Sequence, residues 1–386
     1  MKFSCSTVDF LQALQLVARA IGGQQALPIL GNILIEVHEN HCRVSATDLE
    51  LSIITTIPAK VEREGAVTLP AKAILNFAQY NNDPEVLLET NEGTHVRCTS
   101  LHTKTMISGE AASEYPVITQ METQTTFTLT TEPLLQALHL VTFASARAML
   151  RPVLSGVSLR RERGKLILVA TDSYRLSEYA LTVQGAPEEI SCIIPAKILE
   201  ELIIILAGRK PERGMEKKSE KEHVQEDAMR VEVAFSKQQI GLTIGSTHLL
   251  SRLIDGKFPD YQQIIPKEPV TKVLFPAADL TTAVKRMHYF AKEMNNNLTF
   301  HCAKDETRIM TPQTQIGRDE AIISTEAAGP ENKIALSSSF LLDFLGHIHD
   351  DVLEMHITDS MHPAVFRLPS EPTFLHLIMP LRMQEE

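Results

Sequence analysis

The sequence predicts an α+β protein built from three tandem copies of one unit, each with two helices packed on antiparallel strands. Two observations lead there: a set of anchors recurs in one order at an offset of 124–125 residues, and a fainter third copy follows them. Leu27-Pro28-Ile29-Leu30 returns as Arg151-Pro152-Val153-Leu154, and Leu69-Pro70-Ala71-Lys72 as Ile194-Pro195-Ala196-Lys197. Phe3, followed by Phe10-Leu11-Gln12-Ala13-Leu14, matches Phe127, followed by Leu134-Leu135-Gln136-Ala137-Leu138. Thr47-Asp48-Leu49-Glu50-Leu51 closes an apolar run just as Thr171-Asp172-Ser173-Tyr174-Arg175-Leu176 closes Leu166-Ile167-Leu168-Val169-Ala170. In the third copy, Ile334 to Phe344 lies over Val67 to Phe77, and Val273 to Leu280 takes the place of the opening strand and helix start.

Within the first copy the elements follow from pattern. Phe10, Leu14, Val17 and Ile21 recur at i+4, i+3 and i+4, one buried face of a helix, with Gln12, Gln15 and Arg19 on the other. Ile33 to Val37, Leu51 to Ile57, Glu85 to Glu89 and Thr94 to Cys98 are strand-like. Pro70 opens a second helix, where a missing N–H costs little, and Ile74, Leu75 and Ala78 supply its apolar side. Glu114-Tyr115-Pro116 and Phe258-Pro259-Asp260-Tyr261 mark linkers, giving domains at 1–122, 123–256 and 257–386. The run from Gly208 to Arg230 is densely charged, cannot bury a core, and reads as a solvated loop inserted in the second copy.

Composition narrows the function classes. A chain of 386 residues with 44% hydrophobic and 22% charged residues reads as soluble and globular. A net charge of −11 argues against coating nucleic acid by bulk electrostatics, though a local basic surface remains compatible with it. No apolar run approaches the roughly 20 residues that span a bilayer, and Met1-Lys2-Phe3-Ser4-Cys5 is unlike a signal peptide, so a cytoplasmic protein without a membrane partner is expected. Cys5, Cys42, Cys98, Cys192 and Cys302 are scattered, without a C-x-x-C pair, and read as reduced and buried. Phosphate-binding glycine loops and a G-x-S-x-G nucleophile elbow are both absent. His347-Ile348-His349-Asp350-Asp351 has metal-binding side chains but follows the helical Phe340 to Leu345, and reads as a solvated helix end. No catalytic residue, metal site or cofactor is therefore expected.

The three two-helix units, the Thr-Asp turn, Phe258-Pro259-Asp260-Tyr261 and Met379-Pro380-Leu381-Arg382-Met383 together resemble the sliding clamps, the β subunits of bacterial DNA polymerase III. The likeness covers essentially the whole chain. Its most specific pieces are Leu27 to Asn32, Ala170 to Leu176 and Ile378 to Arg382. The resemblance implies three DNA-clamp units per chain and a head-to-tail homodimer closed into a ring, helices inward and sheets outward, with double-stranded DNA in the central channel. It also implies a non-catalytic processivity subunit. The expected partners are a clamp loader, the polymerase III α subunit and other proteins that carry clamp-binding peptides. A clamp-like adaptor that binds peptides outside replication is the alternative left open by the charged run and by Gln24-Gln25.

Residue by residue, the resemblance places a peptide groove between the second and third units. It would use Leu154, Thr171, Ser173, Tyr174, Arg175 and Leu176, then Pro259 and Ile264, and finally Leu377, Ile378, Met379, Pro380, Leu381 and Arg382. Aliphatic and Met side chains suit an adaptable trough, and Arg175 and Arg382 would fix carbonyls or acidic groups at its rim. Ser173 and Tyr174 stand where Gly and His are common in the family, and Gln384-Glu385-Glu386 follow Met383. Candidates to face DNA are Arg19, Gln24, Lys72, Arg147, Lys197, Lys285 and Lys292; Gln24 stands where the family carries an arginine. Thr105 and Ile107, on a strand over Thr103 to Ile107, and Tyr289 and Phe290 are expected at the dimer contact.

Overall fold

The computed structural model describes residues 1–23, 27–91, 93–118, 121–147, 151–183, 186, 190–208 and 230–383. One order of elements runs through it three times. The first run opens with β1 (Lys2–Ser6), α1 (Thr7–Ala18), β2 (Asn32–His38), β3 (His41–Thr47) and β4 (Leu51–Pro58). It continues with β5 (Lys60–Arg63), β6 (Gly65–Pro70), α2 (Ala71–Gln79), β7 (Glu85–Thr90), β8 (His95–Thr99) and β9 (Lys104–Ser108). The second has β10 (Thr125–Thr130), α3 (Thr131–Val141), β11 (Gly156–Glu162), β12 (Lys165–Thr171) and β13 (Arg175–Thr182). Then come β14 (Ser191–Pro195), α4 (Ala196–Gly208), β15 (Arg230–Phe235), β16 (Gln239–Ile244) and β17 (Thr247–Arg252). The third has β18 (Thr271–Pro276), α5 (Ala277–Ala291), β19 (Asn297–Cys302), β20 (Glu306–Met310), β21 (Glu320–Ser324) and β22 (Glu326–Ala328). It ends with β23 (Asn332–Ser337), α6 (Ser338–Leu345), β24 (Val352–Ile357), β25 (Ala364–Leu368) and β26 (Glu371–Ile378). The charged run expected over 208–230 lies outside the described residues, apart from Gly208 at the end of α4 and Arg230 at the start of β15.

Two compact units divide these elements: Met1–Thr131 with Ile204–Leu253, and Glu132–Ile203 with Ile254–Glu386. The first holds an eight-stranded sheet, β10-β15-β16-β17-β4-β3-β2-β6, and a five-stranded one, β5-β1-β7-β8-β9. In α1 the expected stripe of Phe10, Leu14 and Val17 is buried, while Ile21, beyond the helix end, is half-buried. Pro70 caps α2, which buries Ile74, Phe77 and Ala78.

The second unit holds a nine-stranded sheet, β14-β11-β12-β13-β26-β25-β24-β18-β22, and a four-stranded one, β21-β20-β19-β23. The two large sheets share one plan. In the first, β4 pairs antiparallel with β17, setting Leu51 against Ser251; in the second, β13 pairs antiparallel with β26, setting Arg175 against Ile378. Each pairing joins the fourth core strand of one run to the last strand of the next.

The Thr-Asp turns that lead into β4 and β13 are built alike. Thr47 Oγ1 donates to Leu51 O at 3.1 Å and accepts from Leu49 N at 3.0 Å; Asp48 Oδ1 accepts from Glu50 N at 3.0 Å and Leu51 N at 2.7 Å. Thr171 Oγ1 donates to Arg175 O at 2.6 Å and accepts from Ser173 N at 3.1 Å, and Asp172 Oδ1 accepts from Tyr174 N at 2.9 Å and Arg175 N at 3.0 Å. Both turns force their third residue left-handed, with φ +77° at Leu49 and +81° at Ser173. Glycine alone meets no Cβ penalty at such a position, so Leu49 and Ser173 hold it at a conformational cost.

Cys5, Cys42, Cys98 and Cys302 are buried and Cys192 half-buried. The helix-facing side of the nine-stranded sheet buries Phe366, Phe374 and His376 against Phe344 of α6, with His376 stacked on that ring at 4.4 Å and 11°. Ser177 Oγ lies 2.8 Å from His376 Nδ1. Burial, with smaller contributions from Arg175 and His347, holds this imidazole well below its usual value. The unfolded chain takes up a proton near pH 6.5 and the folded chain does not. Stability is therefore undiminished above about pH 6.5 and is lost as pH falls below it, by up to about 1.4 kcal/mol per pH unit. Urea midpoints measured between pH 7.5 and 5.5 should show this loss, and His376→Phe should flatten it; an unchanged slope in the variant would remove His376 as the cause.

Candidate functional site

Strand alternation decides what β13 and β26 present on each face. On the face away from α6, Ile167, Val169, Leu176, Val365, Leu375 and Leu377 form a buried cluster with Tyr261, and half-buried Phe258, Ile265 and Met379 pack against it. The linker is pinned there by Tyr261. Arg160 Nη2 donates to its hydroxyl at 2.6 Å, that hydroxyl donates to the Glu178 carboxylate, and the Arg160 guanidinium lies 5.2 Å from the ring centroid. Burial, then the bond to Glu178, pushes the phenol upward, so it stays a neutral donor.

Between linker, turn and β26 lies a groove of about 160 Å³, lined by Thr171, Ser173, Arg175, Pro259, Ile264, Leu377 and Met379, together with Arg151, Asp260 and Tyr261. Half of the expected groove residues are thus brought together. Leu154, Leu176 and Ile378 are buried core, while Pro380 and Leu381 are half-buried, with Leu381 N donating to Ala335 O at 2.8 Å. Arg382 is exposed, and its carbonyl accepts from Asn297 Nδ2 at 3.1 Å. Tyr174 is 64% exposed and lies outside the lining, its ring stacked near Phe340 at 6.3 Å. Arg151, Asp260 and Tyr261 were visible only as repeat and linker markers; their part in the lining depends on how the linker crosses the sheet.

Arg175, expected at the rim, contributes to the groove lining but has its guanidinium engaged on the helix side. It is 5% exposed, and its position beside Leu176 turns it to the opposite face, toward the helices. There Nε donates to Asp172 Oδ2 at 3.1 Å, Nη1 to Asp343 Oδ2 at 2.7 Å and Nη2 to Phe143 O at 3.0 Å. The rings of Phe143 and Phe340 lie 5.4 and 5.1 Å from it. Arg175 therefore holds the turn to α6 from behind the groove.

The basic candidates sit on or beside helices. Lys72 on α2, Arg147 after α3, Lys285 on α5 and Lys292 at its C-terminal end are exposed. Arg19, at the end of α1, and Lys197, on α4, are half-buried, and Gln24 lies outside the described residues, as do Gln384, Glu385 and Glu386. At the expected dimer contact, β9 is an edge strand with Thr105 exposed, but Ile107 is 5% exposed and belongs to the core; Met106, 52% exposed, is the apolar side chain it offers. Tyr289 is 68% exposed and meets Phe290 edge-on at 5.5 Å. His347 stacks on Phe143 at 4.3 Å, with Nδ1 2.7 Å from Asp343 O, and among the described residues no three His, Cys, Asp or Glu side chains gather to hold a metal.

Comparison with known proteins matches three consecutive domain models of one family. The DNA polymerase III β subunit N-terminal domain covers residues 1–119, the central domain 128–213 and the C-terminal domain 262–382. The chain is 27% identical over 392 aligned residues to the β sliding clamp of Staphylococcus aureus, covering 99% of each chain. Among solved structures, the DNA polymerase III β subunit of Thermotoga maritima aligns with a TM-score of 0.89 at 24% identity, covering 99% of this chain and 100% of that one. The sliding clamp of Bacillus subtilis aligns equally well at 24% identity, over 100% of both chains. These two likenesses establish the fold.

Arg175→Ala should cost about 2–4 kcal/mol in urea unfolding, because it leaves partly buried acceptors unmatched. Arg175→Lys should recover only part of this, since one ammonium cannot serve three acceptors in a fixed fork. A loss below about 1 kcal/mol for the alanine variant would show the guanidinium to be dispensable.

Proposed function

The chain belongs to the family of bacterial DNA polymerase III β subunits, the sliding clamps, and from that premise we propose how it works as a processivity factor: two chains close head to tail around double-stranded DNA. It is a tether for the polymerase, not an enzyme. The observation that carries the ring is an unused pair of strand edges. β21 is the third-run equivalent of β4 and β13, and β9 the first-run equivalent of β17 and β26. Among the described residues both β9 and β21 lie at sheet edges, with one side unpaired. Antiparallel pairing of β9 with β21 of a second chain would repeat the β4–β17 and β13–β26 pairings and satisfy both edges. Exposed Met106 on β9 and Ile322 on β21 would then be covered, and Tyr289 and Phe290 lie on α5 of the same unit as β21.

A closed ring holds DNA by topology, so its grip on phosphates can be weak enough to permit sliding, which reconciles a DNA tether with a net charge of −11. Lys72, Lys285 and Lys292, exposed at helices, are the proposed lining, with Arg147 and the half-buried Arg19 and Lys197 beside them. The groove between the Thr171–Arg175 turn, Pro259 to Ile264 and Leu377 to Met379 is the proposed seat for peptides of the polymerase α subunit and other partners. Its apolar floor is supported by the Tyr261 clasp. A clamp loader would supply the energy for opening, since the sequence has no phosphate-binding loop.

Tyr289→Glu combined with Phe290→Glu should yield monomers by light scattering; a persistent dimer would refute this ring contact. The wild-type protein, loaded on nicked circular DNA, should be retained and then released on linearisation, and binding that ignores DNA topology would overturn the ring. Lys285→Glu with Lys292→Glu should shorten retention and lower the salt slope by about one for each phosphate left unneutralised.

A further inference from the structure

We propose that the first unit carries a second docking groove, at the position equivalent to the first, for a short extended peptide bearing a large apolar side chain and a carboxylate. Only the class of occupant rests on the peptide reading of the other groove; the cavity and its walls are independent of it. The cavity lies between the Thr47–Leu51 turn, the linker at Pro116, Val117 and Ile118, and the end of β17 at Leu250 to Arg252. By strand register Leu250 corresponds to Leu377 and Arg252 to Met379, and by the linker anchors Pro116 corresponds to Pro259. Its volume is about 500 Å³, against about 160 Å³ in the second unit. That places it within the range of roughly 300–1,000 Å³ usual for ligand sites.

Its walls select the occupant. Leu49 is 46% exposed and held at φ +77°, an unusual state for a bulky side chain. Val117 is 87% exposed, and Ile118 and Leu250 are half-buried. Together with Pro116 they give an apolar strip along a lining that also carries Thr47, Ser52, Gln239 and Ser251. Arg252, exposed and sited where the other groove has Met379, has no side-chain partner among the described residues. Asp48 Oδ1 is engaged by the Glu50 and Leu51 amides, so the turn directs this acceptor at its own backbone. An apolar strip ending at the exposed Arg252 guanidinium suits an apolar residue followed by a carboxylate. Glu50, on the turn, would disfavour a second acidic residue at that end.

The test uses the full-length wild-type protein with methyl-labelled Ile, Leu and Val, titrated with the peptide acetyl-Ser-Leu-Phe-Asp-Ser-amide. Methyl signals of Leu49, Val117, Ile118 and Leu250 should shift. In a chain whose other groove is blocked by Ile264→Lys and Met379→Lys, one site should remain, and adding Arg252→Glu should weaken it about tenfold. Shifts confined to Ile264 and Leu377 would overturn the second groove while leaving the first reading intact. Shifts confined to the first unit would support the second groove and count against the first reading for this peptide. Absence of shifts in the first unit, or affinity untouched by Arg252→Glu, overturns the proposal; should the blocked chain fail to fold, the wild-type shifts decide.

Discussion

The main-chain pairing that joins one run of elements to the next is the constraint on which the rest of this structure depends. A strand at a sheet edge presents unpaired N–H and C=O groups, and leaving it open is a liability. Here β4 obtains its outer partner from β17, and β13 from β26, so neither large sheet belongs to a single repeat. Several local features follow from that pairing. The chain must turn sharply just before β4 and β13 begin, and Thr and Asp side chains satisfy the turn amides. A linker must cross near the same place, and an aromatic hydroxyl fastens it: Tyr115 donates to Asn32 O and accepts from Thr47 N, while Tyr261 is clasped by Arg160 and Glu178. Turn, linker and last strand border a hollow in each unit.

Much of this was legible in the sequence because it is local or repeated. The helix stripe of Phe10, Leu14 and Val17, the Pro70 helix start and the paired Thr-Asp turns all follow from spacing alone. The shared groove segments were legible through resemblance. What stayed hidden is long-range or depends on which face a side chain takes. A repeat aligns positions, yet Arg175 and Leu176 are neighbours that serve opposite faces, so spacing does not show that the guanidinium beside the groove is engaged by two carboxylates and a carbonyl. Ile107 was hidden similarly: an apolar residue on an edge strand suggests an interface, but the core claims it. No local pattern announces that β17 crosses to β4, and the hollow in the first unit exists only because of that crossing.

The two turns also explain how copies can diverge without unfolding. The hydrogen bonds the two turns share are made by backbone atoms and by the Thr and Asp side chains, so the side chains at the next three positions are not needed for them. One copy fills them with Leu49, Glu50 and Leu51, the other with Ser173, Tyr174 and Arg175. Identical backbones therefore present an acidic, aliphatic corner in one unit and an aromatic one backed by a buried cation in the other.

The placement of the cysteines bears on how such a molecule can be watched. Burial raises the thiols of Cys5, Cys98 and Cys192 to about 12 and of Cys302 to about 11, and Cys42 lies well above its ordinary value. At neutral pH the thiolate fraction of Cys5, Cys98, Cys192 and Cys302 is on the order of one in ten thousand or less. A cysteine introduced on an exposed helix would be the dominant nucleophile of the chain, so a fluorophore could be attached by maleimide chemistry without first removing the native thiols.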